Sequence, residues 1–593
     1  MANVQIERRA AAALLALGLG LGLWGIRWGL PSRERAARVL PPGLASDSAF
    51  QRELADNWSK LHEDLGANLM VNPKSFGTFA GVVDVPAGWT VPPKELLNSA
   101  RSFLVRSGHE DEQSILLALS RMRPHRLQLR PHLFTYGALH IYSVGAALAA
   151  GAAVGLVPLK GSILFYLEDP ARMASLYMAG RLLTVAAYVL GALLLLRLGR
   201  KVGTEAGVLG AAIYLMTPAA VVQAHVLKNH TFWTVFALWT LWRSMLVLET
   251  GRRRDYAAAG AAAGLATASF LGAWPACLVV AAAGALRLLG LHAPQGRPCR
   301  PAPELVGLAV AGAWAAGAFL VVSPYWVLDY PEAMAEMKVL SGFGGLHPSH
   351  VGVFLANALR RGVTEPVLIL MLGGAAFALA RGRREPALLL CALAFLIGLF
   401  AMATVGGVVS TRQVRYFTGW VAVGGLLAGR LLAEFRAMKG AAGRFGTAAA
   451  AVILLGLLAQ GLAYAGNFAA GAGERSTHLQ AGAWIDANVP AGETLGLLRY
   501  PQPSNSPYFR WNRLALRFLD PKAVAAIPEK AWPKWLALTI PDYDDRPLLG
   551  DALSRYELAA SFPRACFIPW IEIDPTSTTA NPQIEIYRKR AMR

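Results

Sequence analysis

The chain carries, directly after a basic pair at Arg8 and Arg9, the apolar run AAAALLALGLGLGLWGIRWGL, which extends from Ala10 to Leu30. A helix needs about 20 consecutive apolar residues to cross the hydrocarbon core of a bilayer, so this run predicts a membrane span. It is longer than the apolar core of a typical signal peptide, and no A-x-A cleavage site lies near its end. We therefore predict a retained first helix.

Comparable apolar stretches recur as far as Gly466. The candidate spans are 10–30, 133–157, 173–197, 205–222, 231–249, 256–271, 273–291, 303–323, 366–381, 386–405, 416–434 and 446–466. The predicted fold class is a polytopic α-helical membrane protein with about 11–13 transmembrane helices. It has a large external first loop and a small C-terminal α/β external domain.

Composition supports this class and argues against a nucleic-acid partner. Of 593 residues, 55% are hydrophobic and 16% are charged, whereas a soluble domain carries about 25% charged residues. The net charge is +20, but the basic residues form short clusters between apolar stretches, as the positive-inside rule predicts. The four cysteines, Cys277, Cys299, Cys391 and Cys566, are too few for a disulfide framework.

The basic connectors predict which segments lie outside. The clusters at Arg8, Arg200, Arg253 and Arg383 mark the cytoplasmic side. From Lys201 onward the two sides alternate without conflict. The insert is predicted outside and Lys201 inside, so the chain between them must cross the membrane an odd number of times. However, two apolar stretches occur there. One of them is re-entrant or interfacial, or the number of stretches is wrong.

Four segments follow from these patterns. They are the first transmembrane helix (1–30), an external loop with juxtamembrane helices (31–129), the transmembrane bundle with an external loop near 324–365 (130–470), and an external α/β domain (471–593). In the insert, Trp58, Leu61, Leu65 and Leu69 recur at helical spacing. In the tail, 479–488 predicts a helix, and 495–498, 535–540 and 584–587 predict strands.

The insert ends in the acidic cluster His109-Glu110-Asp111-Glu112, directly before a helical pattern. A carboxylate held just above the membrane can act as a base towards an acceptor hydroxyl. The alternative is that acidic residues simply complement the dipole of a helix's first turn. Glu34, just after the first span, is a second candidate, and a solvated juxtamembrane charge explains it equally well.

Basic side chains gather at the predicted external ends of the spans. They are Arg130 and His132 before the second span, Lys228 and His230 in a short connector, and Arg412 and Arg415 before a late span. Such residues bind lipid phosphate or serve as an interfacial anchor belt. His225 and His230 without nearby carboxylates are a weak metal signal.

Other reaction classes lack support. The sequence contains no P-loop, no CxxC pair and no GxSxG. Its GxGxxG, from Gly20 to Gly25, lies inside the first predicted span, where it cannot bind a dinucleotide.

Taken in order along the chain, these segments resemble the C-superfamily polytopic glycosyltransferases of family 39, which include protein O-mannosyltransferases and lipid A aminoarabinose transferases. His109-Glu110-Asp111-Glu112 is similar to the family's His-Pro-Asp-Glu, whose aspartate is the catalytic base. Arg130-Pro131-His132 stands where the family has Lys-Pro-Pro. The segment from Leu215 through His225 to His230 resembles the one that returns to the active site, and Arg415-Tyr416 resembles an Arg-Tyr that opens a late helix.

The sequence also departs from the family. The family's acidic pair follows the first helix closely, whereas here 31–108 intervenes. Glu110 replaces the motif proline, Asn229 replaces an aspartate, and Arg130-Pro131-His132 replaces Lys-Pro-Pro. These differences leave the sugar and the acceptor undetermined.

The resemblance implies a bacterial inner-membrane glycosyltransferase that moves a sugar from a polyprenyl-phosphate donor to a protein or glycolipid acceptor. The expected catalytic residues are Asp111 and Glu112. The expected phosphate-binding residues are Arg130, His132, Lys228, His230, Arg412 and Arg415. A divalent metal is possible, but no ligand set is evident. The alternatives are a transporter or flippase of lipid-linked glycans and a non-catalytic glycan-binding relative.

Overall fold

The computed structural model describes residues 2–65, 81–291, 300–341, 349–404, 414–520, 527–540, 546–566, 568, 570–574 and 580–590. These residues divide into two compact units. The helical unit comprises Met1–Trp24, Arg121–Gly145 and Arg181–Ala465. The sheet unit comprises Gly25–Ser120, Ala146–Gly180 and Gly466–Arg593.

The helices of the first half are α1 (Ala2–Leu23), α2 (Arg33–Val39), α3 (Ser48–Leu65), α4 (Lys94–Val105), α5 (Glu112–Ser120), α6 (Ala138–Ala153), α7 (Ile163–Glu168), α8 (Pro170–Val202), α9 (Thr204–Met216), α10 (Pro218–Ala224), α11 (His230–Thr250), α12 (Arg253–Ser269) and α13 (Ala276–Leu288). Those of the second half are α14 (Pro301–Val322), α15 (Tyr325–Leu328), α16 (Tyr330–Ser341), α17 (Ser349–Phe354), α18 (Arg360–Val363), α19 (Glu365–Arg381), α20 (Pro386–Thr404), α21 (Thr418–Ala437), α22 (Gly440–Gly471), α23 (Thr477–Asn488) and α24 (Arg546–Leu549).

Within the described residues, 6 helices are long and apolar enough to cross a membrane, or up to 8 if each of 2 bent pairs is one span. The predicted class of polytopic helical membrane protein is confirmed, with fewer full-length spans than the expected number of about 11–13. Every predicted span overlaps at least one helix, but several helices are short or bent. For example, α9 and α10 meet at 63°, where Pro218 cannot continue the preceding helix.

The helix α6 bears on the topology conflict between 133 and 197. It has 16 residues, which at a rise of ~1.5 Å per residue span less than the ~30 Å hydrocarbon core. The following helix, α8, has 33 residues and passes the span criteria. This difference in length favours α6 as the re-entrant or interfacial stretch.

Small residues let helices of the helical unit approach closely. In α12, Gly260 and Gly264 are four positions apart and face α14, where a Cβ at Gly260 would lie 2.0 Å from the oxygen of Ala311. A Cβ at Gly264 would lie 2.2 Å from the oxygen of Ala315. The backbones thus pack in the small-xxx-small manner that is common between membrane helices.

The sheet unit contains six strands: β1 (Val82–Val85), β2 (Thr494–Leu497), β3 (Ala515–Leu519), β4 (Trp535–Ile540), β5 (Tyr556–Phe562) and β6 (Gln583–Lys589). Their order is β1-β3-β2-β4-β6-β5. The central strand β2 runs parallel to β3 and β4, and the outer pairings are antiparallel. The predicted C-terminal α/β domain is confirmed, including the helix at α23 and the strands at β2, β4 and β6.

The insert also contributes a strand to this sheet, which the sequence did not predict. Strand β1 pairs with β3 in the register Asp84↔Arg517, and the Arg517 guanidinium donates to the Asp84 carboxylate at 2.6 and 2.8 Å. Phe103 of α4 packs edge-on against Trp511, with ring centroids 5.1 Å apart. The described parts of 31–120 and 471–593 therefore fold as parts of one unit, whereas 121–129 belongs to the helical unit.

Candidate functional site

The acidic segment lies at the start of α5, in the sheet unit. The Asp111 amide donates to His109 Nδ1 at 3.1 Å, and Ser504 Oγ donates to Glu110 Oε1 at 2.9 Å. The three carboxyl groups differ in exposure: Glu110 is exposed, Asp111 is half-buried and Glu112 is fully buried. Of the three, Asp111 is thus the carboxyl group that is neither fully exposed nor fully buried.

The two ends of the long insertion meet at Gly29 and Gly108. The Gly108 amide donates to the Gly29 oxygen at 2.7 Å, and Gly29 has φ +57°. A Cβ at Gly29 would lie 2.8 Å from Gly108 Cα, so only glycine permits this approach. Beside it, the Trp28 and His109 rings pack edge to face. The acidic segment therefore lies beside the residues that follow α1 in the chain, although 31–108 separates them in sequence.

A buried arginine fixes this junction. Arg35 Nη1 donates to the Gly29 oxygen at 3.0 Å, and its Nε and Nη2 donate to the Phe103 oxygen at 3.0 and 2.8 Å. Its Nη2 also contacts the Arg106 oxygen. The neighbouring candidate Glu34 is exposed in the first turn of α2, in agreement with a solvated juxtamembrane charge.

In the helical unit, Arg130 and His132 bind two carboxylates of the loop near 324–365. Arg130 Nη2 contacts Asp329 and donates to Glu332 Oε2 at 2.7 Å. His132 Nδ1 lies 3.0 Å from each Glu332 oxygen, and the His132 backbone has φ 51°, which is uncommon for histidine. The expected phosphate-binding cations are thus held by Asp329 and Glu332.

The two carboxyl groups of this cluster have opposite pKa shifts. Burial and the hydrogen bond with Glu332 raise the pKa of Asp329, against the opposing effect of Arg130. Burial alone would raise the pKa of Glu332, but hydrogen bonds with His132 and Asp329 and the charges of His132 and Arg130 lower it to about 2. Glu332 is therefore ionised at neutral pH and pairs with the Arg130 guanidinium.

A second carboxylate of α16 fixes the residues that follow His132. Glu336, fully buried, accepts hydrogen bonds from the Phe134 amide at 3.0 Å, the Thr135 amide at 2.9 Å and Thr135 Oγ1 at 2.6 Å. Because Glu332 and Glu336 are four residues apart, they project from one face of α16. This face positions the whole segment 130–135.

One group among the described residues has side chains suited to a metal ion. Ligand atoms of His132, Asp329 and Glu332 all lie within 4.8 Å of one another. Imidazole and carboxylate ligands suit a divalent transition metal. The Arg130 guanidinium contacts both carboxylates, so a cation bound there would share them with an existing positive charge.

The second basic cluster of the helical unit surrounds Tyr136 and Tyr416. Buried Lys228 places its ammonium 5.8 Å from the centre of the Tyr136 ring. The His230 ring packs edge-on against Tyr416 at 5.5 Å, and the Arg415 guanidinium lies 5.2 Å from the centre of the same ring. Residues of three expected segments, which are distant in sequence, thus meet around two aromatic rings.

The structure brings some expected site residues together. Arg130 joins His132, and Lys228, His230 and Arg415 share the aromatic cluster. Asp111 and Glu112 form a separate segment of the sheet unit. Arg412 lies outside the described residues.

Sequence reasoning missed Asp329, Glu332 and Glu336. Their spacing, three and four residues apart in DYPEAMAE, is that of one helical face, although Asp329 directly precedes α16. That spacing was the available signal, but their partners lie about 200 residues earlier in the chain.

Comparison with known proteins identifies the class. A family model described as dolichyl-phosphate-mannose-protein mannosyltransferase matches residues 174–327. This match over 174–327 confirms that the chain is similar to the polytopic glycosyltransferases, and it supports glycosyltransferase as the enzyme class. A comparison with curated proteins finds no match.

Three solved structures show weak likenesses. The oligosaccharyltransferase of Archaeoglobus fulgidus, in complex with Zn and sulfate, is 15% identical with a TM-score of 0.34, over 68% of this chain and 59% of that one. ArnT from Cupriavidus metallidurans, bound to undecaprenyl phosphate, is 13% identical with a TM-score of 0.39, over 81% and 93%. The arabinofuranosyltransferase AftD from Mycobacteria is 14% identical with a TM-score of 0.37, over 99% and 42%. The chain therefore spans less than two thirds of two of these proteins.

Proposed function

We propose that this multi-pass membrane protein transfers a sugar from a polyprenyl-phosphate donor to an acceptor hydroxyl on a protein or glycolipid. The reaction takes place on the outer face of a bacterial inner membrane. The observation that supports the proposal best is the half-buried Asp111 at the start of α5, whose backbone amide donates to His109, in a chain whose residues 174–327 match the mannosyltransferase model.

The proposed chemistry is a single displacement at the anomeric carbon. Asp111 takes the proton of the acceptor hydroxyl as that oxygen attacks. The bond between the anomeric carbon and the phosphate oxygen breaks, and the polyprenyl phosphate leaves with the bonding electron pair. A single displacement inverts the anomeric configuration. Glu112 is the next residue in the chain and is fully buried. It positions the base and does not contact the sugar.

The leaving phosphate carries the developing negative charge, which is the main electrostatic demand of the step. We assign its stabilisation to Arg130 and His132, with Lys228, His230, Arg412 and Arg415 as further cations of the donor site. Glu332 supports this assignment because it orients the Arg130 and His132 side chains. The His132, Asp329 and Glu332 group offers ligands for a divalent cation, although the proposed steps do not use one.

The test is a transfer assay with purified protein, a polyprenyl-phosphate sugar and a panel of peptide and glycolipid acceptors. We expect transfer with inversion, visible in the anomeric coupling of the product by NMR. A retained configuration would refute the single displacement. Movement of the intact lipid-linked sugar across proteoliposomes without transfer would instead indicate a flippase, and binding without either reaction would indicate a non-catalytic relative.

Arg130→Ala tests the donor site in the same assay. The variant loses charge-assisted hydrogen bonds to the phosphate, so we expect the donor KM to rise about 10–100-fold. Arg360→Ala is the matched control, because Arg360 pairs with Glu365 on an exposed surface of the same unit. An unchanged donor KM in Arg130→Ala would remove that residue from the donor site.

A further inference from the structure

Two arginines of the sheet unit carry a buried positive charge that the transfer mechanism does not use. Arg101 of α4 is only 3% exposed. Its guanidinium stacks 4.0 Å from the centre of the Trp58 ring, and its Nη2 donates to Asn98 Oδ1 at 2.6 Å. Among the described residues, its buried Nε has no hydrogen-bond partner. In the described part of the chain, Arg101 forms no ion pair with a carboxylate.

Arg106, which directly follows the same helix, adds a second positive charge to that of Arg101. It is half-buried, and its Nη1 makes one long contact of 3.5 Å to Gln502 Oε1. Burial lowers the pKa of Arg101 well below its usual value, and the charge of Arg106 lowers it further. Burial also lowers the pKa of Arg106, while the charge of Glu110 opposes this.

Two other buried arginines have fuller sets of partners than Arg101. Arg287 donates to Glu304 at 2.9 Å, and Arg35 donates to the carbonyl oxygens of Gly29 and Phe103. The segment 66–80, outside the described residues, contains Lys74 and no aspartate or glutamate. Among the described residues, Arg101 therefore lacks a carboxylate partner, while Glu110 offsets part of the charge of Arg106.

A buried ion without a counter-ion is strongly unfavourable, and it is retained where a ligand supplies the opposite charge. A planar guanidinium held on an aromatic ring is well oriented for two parallel hydrogen bonds to an oxyanion. We propose that Arg101 and Arg106 bind a phosphate-type anion in the sheet unit, with Trp58 orienting the Arg101 guanidinium. This site does not depend on the proposed transfer reaction.

The experiment measures the thermal unfolding of the full-length protein in maltoside detergent and phosphate-free buffer. Inorganic phosphate and farnesyl phosphate are titrated separately, with farnesol and sodium chloride as neutral and ionic-strength controls. A ligand that binds the folded state raises the Tm saturably. A rise with farnesyl phosphate alone indicates a lipid-borne phosphate, and a rise with both ligands indicates recognition of the phosphate group itself.

Three variants test the assignment. Arg101→Met and Arg106→Gln should weaken the apparent affinity at least about tenfold, because each loses charge-assisted hydrogen bonds. Arg38→Met, at an exposed arginine of α2 whose side chain is 58% exposed, should behave as the wild type. In phosphate-free buffer, Arg101→Met should keep or raise the wild-type Tm, since it removes an uncompensated buried charge.

A purely structural arginine predicts a different pattern: a lower Tm for Arg101→Met and an unchanged shift on adding phosphate. That result would overturn the proposal, as would the absence of any shift in the wild type with both phosphates. If Arg101→Met does not fold, the half-buried Arg106→Gln decides alone, and a wild-type affinity in that variant refutes the site.

Discussion

Asn229 occupies the position at which the resemblance expects an aspartate, and its amide makes contacts that a carboxylate cannot make. Its Nδ2 donates to the Tyr136 oxygen at 2.8 Å and to the Ser269 oxygen at 3.2 Å. Both partners are acceptors, so a carboxylate there would face two oxygens. The departure from the family motif thus has a structural role in joining three segments of the helical unit.

We expect Asn229→Asp to lower the stability of the folded protein. The substitution removes two hydrogen bonds and buries an anion beside two carbonyl oxygens, which costs at least about 1–3 kcal/mol. Thermal unfolding in detergent measures the effect. Asn488→Asp, at an exposed amide in α23, is the control for the same chemical change. Equal Tm values for the two variants would contradict the role assigned to Asn229.

Individual residues show where sequence reasoning ends. The position of Asp111 before a helix was predictable from local pattern, because acidic residues and apolar spacing mark a helix start. The contacts of Arg130 with Asp329 and of Thr135 with Glu336 were not predictable, because no local pattern encodes pairing across about 200 residues. The partial burial that distinguishes Asp111 from Glu110 and Glu112 also emerges only in the folded chain.

At the scale of elements, the spans were predictable because about 20 apolar residues in a row have few alternatives to a membrane helix. The lengths and bends of these helices were less predictable from the sequence. Helix α6 is short, and the pair α9–α10 bends at Pro218. The strands β2, β4 and β6 coincide with apolar runs in the tail. Strand β1 was not predicted as part of the same sheet, since pairing of Val82–Val85 with Ala515–Leu519 joins distant parts of the chain.

The Gly29–Gly108 junction explains how a long insertion is accommodated. The insertion begins and ends at adjacent points, Gly29 and Gly108, so the residues that flank it stay together. The entropic cost of closing a longer loop grows only slowly with its length. The acidic segment can therefore lie beside Trp28 and Gly29, while the insertion adds helices and a strand to the sheet unit.

The Gly29→Val substitution tests this junction. Its Cβ would lie 2.8 Å from Gly108 Cα, at φ +57°, so either the backbone moves or the contact breaks. We expect a loss of transfer of at least about tenfold, because a small displacement of a catalytic group is costly. Gly43→Val is matched in backbone, with φ +81°, and a Cβ there meets no atom within 4 Å. Similar activity in both variants would exclude a positioning role for the junction.

At the scale of the whole molecule, the polytopic class and the α/β tail followed from composition and pattern, whereas the sidedness rests on the basic connectors alone. We predict that the insert and the tail are external and that the connector at 252–254 is cytoplasmic. Single cysteines at Ser59, Ala491 and Arg253, in a chain whose four native cysteines are serine, report on these three places.

An impermeant maleimide should label Ser59→Cys and Ala491→Cys in intact spheroplasts, and Arg253→Cys only after permeabilisation. All three positions are exposed in the described structure, so a failure to label reflects the membrane and not burial. Labelling of Ala491→Cys that requires permeabilisation would reverse the topology and place the tail in the cytoplasm.

The most direct test of the proposed mechanism is the turnover of Asp111→Asn. The amide keeps the size of the side chain but cannot take a proton, and a positioned base contributes about 10²–10⁴ in rate. Single-turnover transfer is measured with the donor saturating, alongside Glu110→Gln, which alters the exposed neighbour. We predict that Asp111→Asn folds, binds the donor with wild-type affinity and loses transfer, while Glu110→Gln stays within a few-fold of the wild type. Transfer by Asp111→Asn at the wild-type rate would contradict the account.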